Sequence, residues 1–133
     1  MTQGTEPKWV PSVAVLAIHH QQILEHGGLP GVRSQTALEA ALARPQQRWV
    51  YGDLQQIPSL AAAYAEAIVI AHPFSDGNKR TGFLLAMVFL GLNGWSFSAN
   101  NESVVLMIQR LAARDLLWED LETWFIANSS SKP

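Results

Sequence analysis

The chain has 133 residues and a mass of 14.6 kDa, a length that favours one domain and is expected to bury about two-thirds of its unfolded surface without metal or disulfide staples. Nine Lys and Arg against eleven Asp and Glu give a net charge of -2, which excludes a global positive field for nucleic acid or an anionic membrane, so any anion binding has to be local. Cysteine is absent, which excludes disulfides and thiol catalysis and fits a reducing compartment, while 15% charged and 48% hydrophobic residues suggest apolar surface that awaits a partner.

The opening MTQGTEPKW carries no apolar signal core, and the longest apolar run, Gly82 to Leu92, is too short to span a bilayer. A cytoplasmic protein with no membrane contact is expected. The whole of 1–133 reads as one domain with frayed tails at about 1–8 and 129–133. A first helix is expected from Ser12 to the Gly27-Gly28 pair, followed by a turn at Leu29-Pro30-Gly31. A second starts near Ser34 to Thr36, where Thr36 and Glu39 have capping-box spacing, and is expected to end before Pro45. From Pro45 to Pro58 the pattern breaks, and Trp49-Val50-Tyr51 followed by Gly52-Asp53 predicts a loop or small hairpin.

From Ser59 the Ala-rich stretch is strongly helical, carries Glu66 as its only charge and ends at His72-Pro73. The next helix runs from Asn78 to Leu92, and beyond Gly82 no face offers a polar position, which predicts that it is the buried central helix. Segments Glu102 to Ala113 and Trp118 to Ala127 complete an all-α fold of six helices. The five Trp are expected mostly in the core, with Trp49 the most exposed.

The chemistry concentrates in His72-Pro73-Phe74-Ser75-Asp76-Gly77-Asn78-Lys79-Arg80. Lys79 and Arg80 fall in the first turn of a helix, where the macrodipole disfavours positive charge by about 0.3 to 1 kcal/mol each. A bound anion would offset that cost, since the unpaired first-turn N–H groups and both cations would then address one negative charge. Gly77 lets the backbone approach such a ligand, and Asn78 can cap the helix or donate to a phosphate oxygen. Asp76 beside a phosphate site makes sense if a divalent cation lies between them, and Mg²⁺ accepts one or two carboxylates plus phosphate oxygens. His72 just before this cradle suits a base at neutral pH.

This segment, HPFSDGNKR, resembles the signature loop of the Fic fold, and Lys79 matches its Doc (death-on-curing) toxin branch. The adenylylating branch typically has Gly in place of Lys79 and a further Arg in place of Phe83. The resemblance extends to HGGLPG, His26 to Gly31, and to the helix closing on Leu92-Asn93-Gly94. It implies a toxin of a toxin–antitoxin pair that transfers the γ-phosphoryl of ATP to a threonine hydroxyl of elongation factor Tu and arrests translation. In that scheme His72 is the general base, Asp76 holds Mg²⁺, and Gly77, Asn78, Lys79 and Arg80 serve the nucleotide phosphates. Phe74 anchors the loop, and Arg48, Trp49, Val50 and Tyr51, in the span running to Leu54, are candidates for a flap that aligns the target polypeptide. The implied partner is a Phd-like antitoxin whose C-terminal helix folds over the site. Near matches to an inhibitory Fic helix, Thr2 with Glu6 and Ser98 with Glu102, are each followed by the wrong residue, so inhibition is expected in trans.

Two other readings stand beside this one: an adenylyl transferase using the same loop, and a non-catalytic interaction domain. Lys79 argues against the first, and an intact His72, Asp76 and Arg80 against the second. A His-Pro break before a polar helix start is, taken singly, usually only a helix corner; the conjunction of base, carboxylate and cations sets this one apart. His19, His20 and His26 lack a spacing that would hold metal and are read as structural or surface, and HGGLPG as a helix stop.

Overall fold

A computed structural model describes residues 5–133. In chain order its elements are α1 (Ser12–His26), α2 (Gln35–Val50), α3 (Ile57–Ala71), α4 (Asn78–Leu92), β1 (Trp95–Phe97), α5 (Asn101–Ala112), α6 (Trp118–Ala127) and β2 (Ser129–Ser131). The fold is all-α, as its apolar periodicities require, with one two-stranded antiparallel sheet in which Trp95 pairs with Ser131 and Phe97 with Ser129. The last residues are therefore not frayed: Ser129–Ser131 is a strand, and Lys132 N–H donates to the Gly94 carbonyl at 2.8 Å. The opposite tail is tied as well, since Lys8 N–H donates to Asn93 Oδ1 at 2.8 Å, and residues 1–4 lie outside the described part.

The deepest helix is α3, not α4. Between Pro58 and Val69 every residue of α3 except Glu66 is buried, and α2, α4, α5 and α6 all pack on it. Its run of alanines lets neighbouring helices approach closely. α4 is wedged between α3, α1 and α5, which covers Leu85, Ala86, Phe89 and Leu90 but leaves Val88 and Leu92 exposed. Gly82 sits where these two helices touch: a Cβ there would lie 2.9 Å from Val69 Cγ2 and 3.2 Å from the Ala65 carbonyl oxygen. Fully burying Leu60, Leu85, Phe89, Leu121 and Phe125 stabilises the core by about 1.5 to 3 kcal/mol each.

α2 starts within the expected range but departs from expectation at its other end. Ser34, rather than Thr36, caps it by accepting from Ala37 N–H at 3.1 Å. The helix then continues through Pro45 to Val50, so residues 48–50 form a helical turn instead of a loop or hairpin. The ring of Pro45 removes one helical hydrogen bond, but it is itself buried against the core, and packing of α2 along α3 offsets the loss. Trp49 is half-buried like the other four Trp and meets Trp9 edge-on at 6.3 Å. No described helix is long and apolar enough to cross a membrane.

Candidate active site

α3 terminates at His72, which adopts the left-handed conformation (φ 54, ψ 52) while its N–H closes on the Ile68 carbonyl at 3.0 Å. A non-glycine residue rarely takes this conformation unless its surroundings impose it. Pro73 then forbids further helix, and the chain turns into Phe74, which is fully buried. Asn78, four residues on, braces that turn: its Oδ1 accepts from Phe74 N–H at 3.0 Å and its Nδ2 donates to the Phe74 carbonyl at 2.9 Å. Both ends of the Asn78 amide are thereby occupied and buried. The side chain therefore braces the turn and does not cap α4.

The start of α4 is left without a side-chain cap and without an acidic residue in its first turn. Gly77 supplies the entry at φ 77; a Cβ there would meet only ordinary contacts with Ile23 and His19, so backbone conformation and not space demands glycine. Lys79 and Arg80 are exposed at this uncapped terminus. They line a cleft of about 650 Å³ with His72, Asp76, Phe83 and, from α5, Val104, Val105, Ile108 and Gln109. The structure thus brings His72, Asp76, Gly77, Asn78, Lys79 and Arg80 to one cleft, with Phe74 beneath it. The imidazole of His72 is exposed and makes no hydrogen bond to any described residue.

The strap between α1 and α2 stops a helix and is also built into the site. Gly27 ends α1, and the following residues run antiparallel to the His72–Asp76 turn. Arg33 and Ser34 N–H both donate to the Pro73 carbonyl, at 2.7 and 3.0 Å, and Ser75 N–H to the Gly31 carbonyl at 3.1 Å. Leu29 N–H donates to Asp76 Oδ2 at 2.7 Å. Gly28 lies so close that a Cβ would come within 3.1 Å of the Asp76 Cβ. The guanidinium of Arg33 donates from Nε to the His72 carbonyl at 2.9 Å, and from Nη2 to the carbonyls of His72 and Ala71. From α1, the buried His19 stacks on Phe74 at 3.8 Å with rings nearly parallel, and its Nε2–H donates to the Asp76 carbonyl at 2.8 Å. His19 is structural, as expected, but what it structures is the loop that carries Asp76.

Arg33, Leu29 and the α5 wall were invisible to motif reading, because each is separated from its partner by dozens of residues and carries no pattern of its own. Conversely, the flap candidates do not join the cleft. α2 is 16 residues long, about 24 Å at 1.5 Å per residue, and its N-terminal end is the one that meets Pro73. Residues 48–51 therefore sit at the far end. Arg48 pairs with Asp53 at 2.8 Å and lies 4.3 Å over the Trp118 ring, while Val50 and Tyr51 line a different cavity of about 680 Å³ together with Trp9, Glu39 and Gln46. The segment that runs beside the motif turn is the strap, Gly31–Ser34.

Among the described residues no group of three or more His, Asp or Glu could hold a metal ion. Asp76 alone offers a carboxylate to the cleft, with one oxygen already oriented by Leu29. This donor set fits Mg²⁺ brought in with a nucleotide, which needs one or two carboxylates and takes its remaining oxygens from phosphates and water.

An all-helical domain whose left-handed His-Pro corner faces an uncapped, doubly cationic helix start defines a class, and the comparison with known families agrees. The Fic/DOC family model matches residues 9–90, more than half of the chain, and the chain belongs to that family. Among characterised proteins it is 36% identical over 80 residues to "Protein kinase doc" of Escherichia phage P1, a match covering 60% of this chain and 64% of that one. It is 42% identical over 77 residues to "Toxin Doc" of Mycolicibacterium smegmatis (strain ATCC 700084 / mc(2)155), covering 56% of this chain and 58% of the relative. The matched stretch spans less than two thirds of either relative.

Proposed function

We propose that this chain is a Doc-type toxin of a toxin–antitoxin pair, acting as a protein kinase that moves the γ-phosphoryl of ATP to a threonine hydroxyl of elongation factor Tu. The observation that carries the reading is the exposed His72 imidazole sharing one cleft with Asp76, Lys79 and Arg80 at an uncapped helix start. The names of two relatives, a kinase and a toxin, support it.

In this reading the first-turn N–H groups of α4, Lys79 and Arg80 bind the triphosphate. His72 accepts the proton of the threonine hydroxyl as its oxygen attacks the γ-phosphorus, and the bond from that phosphorus to the β–γ bridging oxygen breaks to release ADP. Phosphoryl transfer is mostly positioning and charge stabilisation, so two cations and a fixed base suffice. Asp76 would hold Mg²⁺, which supplies charge neutralisation at the phosphate oxygens when bound. Lys79, in place of the adenylylating branch's glycine, fills space and sets a point charge against the terminal phosphates. The strap, with Gly31–Ser34 against the motif turn, takes the target-aligning role first assigned to residues 48–54. The antitoxin is a separate chain whose C-terminal helix covers the cleft against the apolar side chains of α5.

The test is intact-mass spectrometry of a translation extract incubated with the protein, ATP and Mg²⁺. A target protein heavier by one phosphate supports the reading, and one heavier by an adenylyl group overturns it.

A further inference from the structure

We infer that Arg33 is a positioning residue for His72, holding the left-handed backbone from which the imidazole enters the cleft. The inference rests on the proposed role of His72 as base. Three observations carry it. His72 is one of two non-glycine residues with positive φ among those described, the other being Arg114 just after α5. Such a conformation persists only where the surroundings over-determine it. The groups that do so here are few: its N–H is held by the Ile68 carbonyl, and its carbonyl oxygen receives two donors, both from the Arg33 guanidinium.

The second observation is electrostatic. α3 has no basic residue in its last turn, so the carbonyls at its negative end have no cation from their own helix. Arg33 brings one from another element and spreads it over two successive carbonyls, those of Ala71 and His72. The planar fork makes this bridge possible, and a lysine ammonium at the same place would be a single point charge. The third is the anchoring of Arg33 itself: its own N–H and that of Ser34 close on the Pro73 carbonyl, the residue after His72. The backbone of the strap therefore fixes where the guanidinium begins, and the guanidinium fixes where His72 points. Arg33 is absent from the cleft lining and its guanidinium contacts are to the Ala71 and His72 carbonyls, so it acts through His72 rather than on the nucleotide.

The test compares the full-length wild type with Arg33→Ala, Arg33→Lys and His72→Ala, by steady-state transfer of phosphate from ATP to the target and by the ring proton resonances of His72. A misplaced base costs roughly 10²-fold when the reacting atoms move by about 1 Å. Arg33→Ala is expected to lower kcat by about 10- to 100-fold with KM for ATP unchanged, and to shift the His72 ring resonances. Arg33→Lys keeps the charge without the fork and is expected to fall between the two; it also serves where Arg33→Ala does not fold. Wild-type kcat in the Arg33 variants with unmoved His72 resonances, while His72→Ala is inactive, overturns the inference. A raised KM for ATP at unchanged kcat also overturns it, by making Arg33 a nucleotide contact. The reading of His72 as base fails separately, if His72→Ala keeps full transfer. The resonances report the clamp even then.

Discussion

Two cavities of nearly equal size, about 650 and 680 Å³, open in the molecule, one between the start of α4 and α5 and one along α2, and only the first has the features of a reaction site. The cleft at the start of α4 is framed by backbone in unusual conformations, an uncapped helix start, two exposed cations and an exposed imidazole. The cavity along α2 is framed by that helix and by residues 9–12, with Trp9, Leu42, Val50 and Tyr51 on its walls and Glu39 the one charge among its described lining residues. Volume does not distinguish them. What does is the convergence of donors and titratable groups on one point, held by a strap, a stacked His–Phe pair and a buried asparagine brace.

Substitutions at the two cavities should behave differently. The largest expected effect is on rate: His72→Ala removes the base and should lower phosphate transfer by about 10² to 10⁴-fold while leaving the thermal midpoint unchanged, read by kinetics and melting on one preparation. Next comes Phe74→Ala, which empties the fully buried anchor of the motif turn and should cost about 3 to 5 kcal/mol in denaturant unfolding. Asn78→Ala leaves the buried Phe74 N–H and carbonyl unpaired, and about 1 to 3 kcal/mol of stability should be lost, with activity falling alongside.

A smaller effect is expected beneath the second cavity. The Tyr64 hydroxyl accepts from Val10 N–H, and burial raises its pKa above the ordinary 10.0 despite that hydrogen bond. Above pH 10 the unfolded chain releases this proton before the folded one, so stability is intact below 10 and declines as pH rises beyond it. Tyr64→Phe should flatten that alkaline decline. The smallest effect belongs to the second cavity itself: Tyr51 is 83% exposed, and Tyr51→Ala should change stability by less than about 0.5 kcal/mol and leave transfer untouched. A large loss of activity there would restore residues 48–51 as part of the site.

The same contrast governs how much the sequence discloses. α4 was legible to the residue, Asn78 to Leu92, because a polar start and an Asn-Gly stop bracket an unbroken apolar run. The motif turn was legible because its chemistry is contiguous. What stayed hidden is non-local: Arg33 meets His72 across 39 positions and Leu29 meets Asp76 across 47, and neither residue type announces such a contact. β2 is three serines, so no apolar side-chain alternation marks it. Pro45 misled because a local rule about proline was outweighed by burial of its ring. α4 reads as the core helix because beyond Gly82 it is apolar all round, whereas the alanines of α3, less hydrophobic one by one, sit deeper because they are small.

The central claim is that this cleft delivers the γ-phosphoryl group with His72 as base, and labelled ATP tests it most directly. Wild type and His72→Ala are each incubated with Mg²⁺, a translation extract and ATP labelled at either the α or the γ position. The account predicts label on a target protein from γ only, and only with the wild type. Label arriving from the α position, or γ transfer undiminished in His72→Ala, would contradict it.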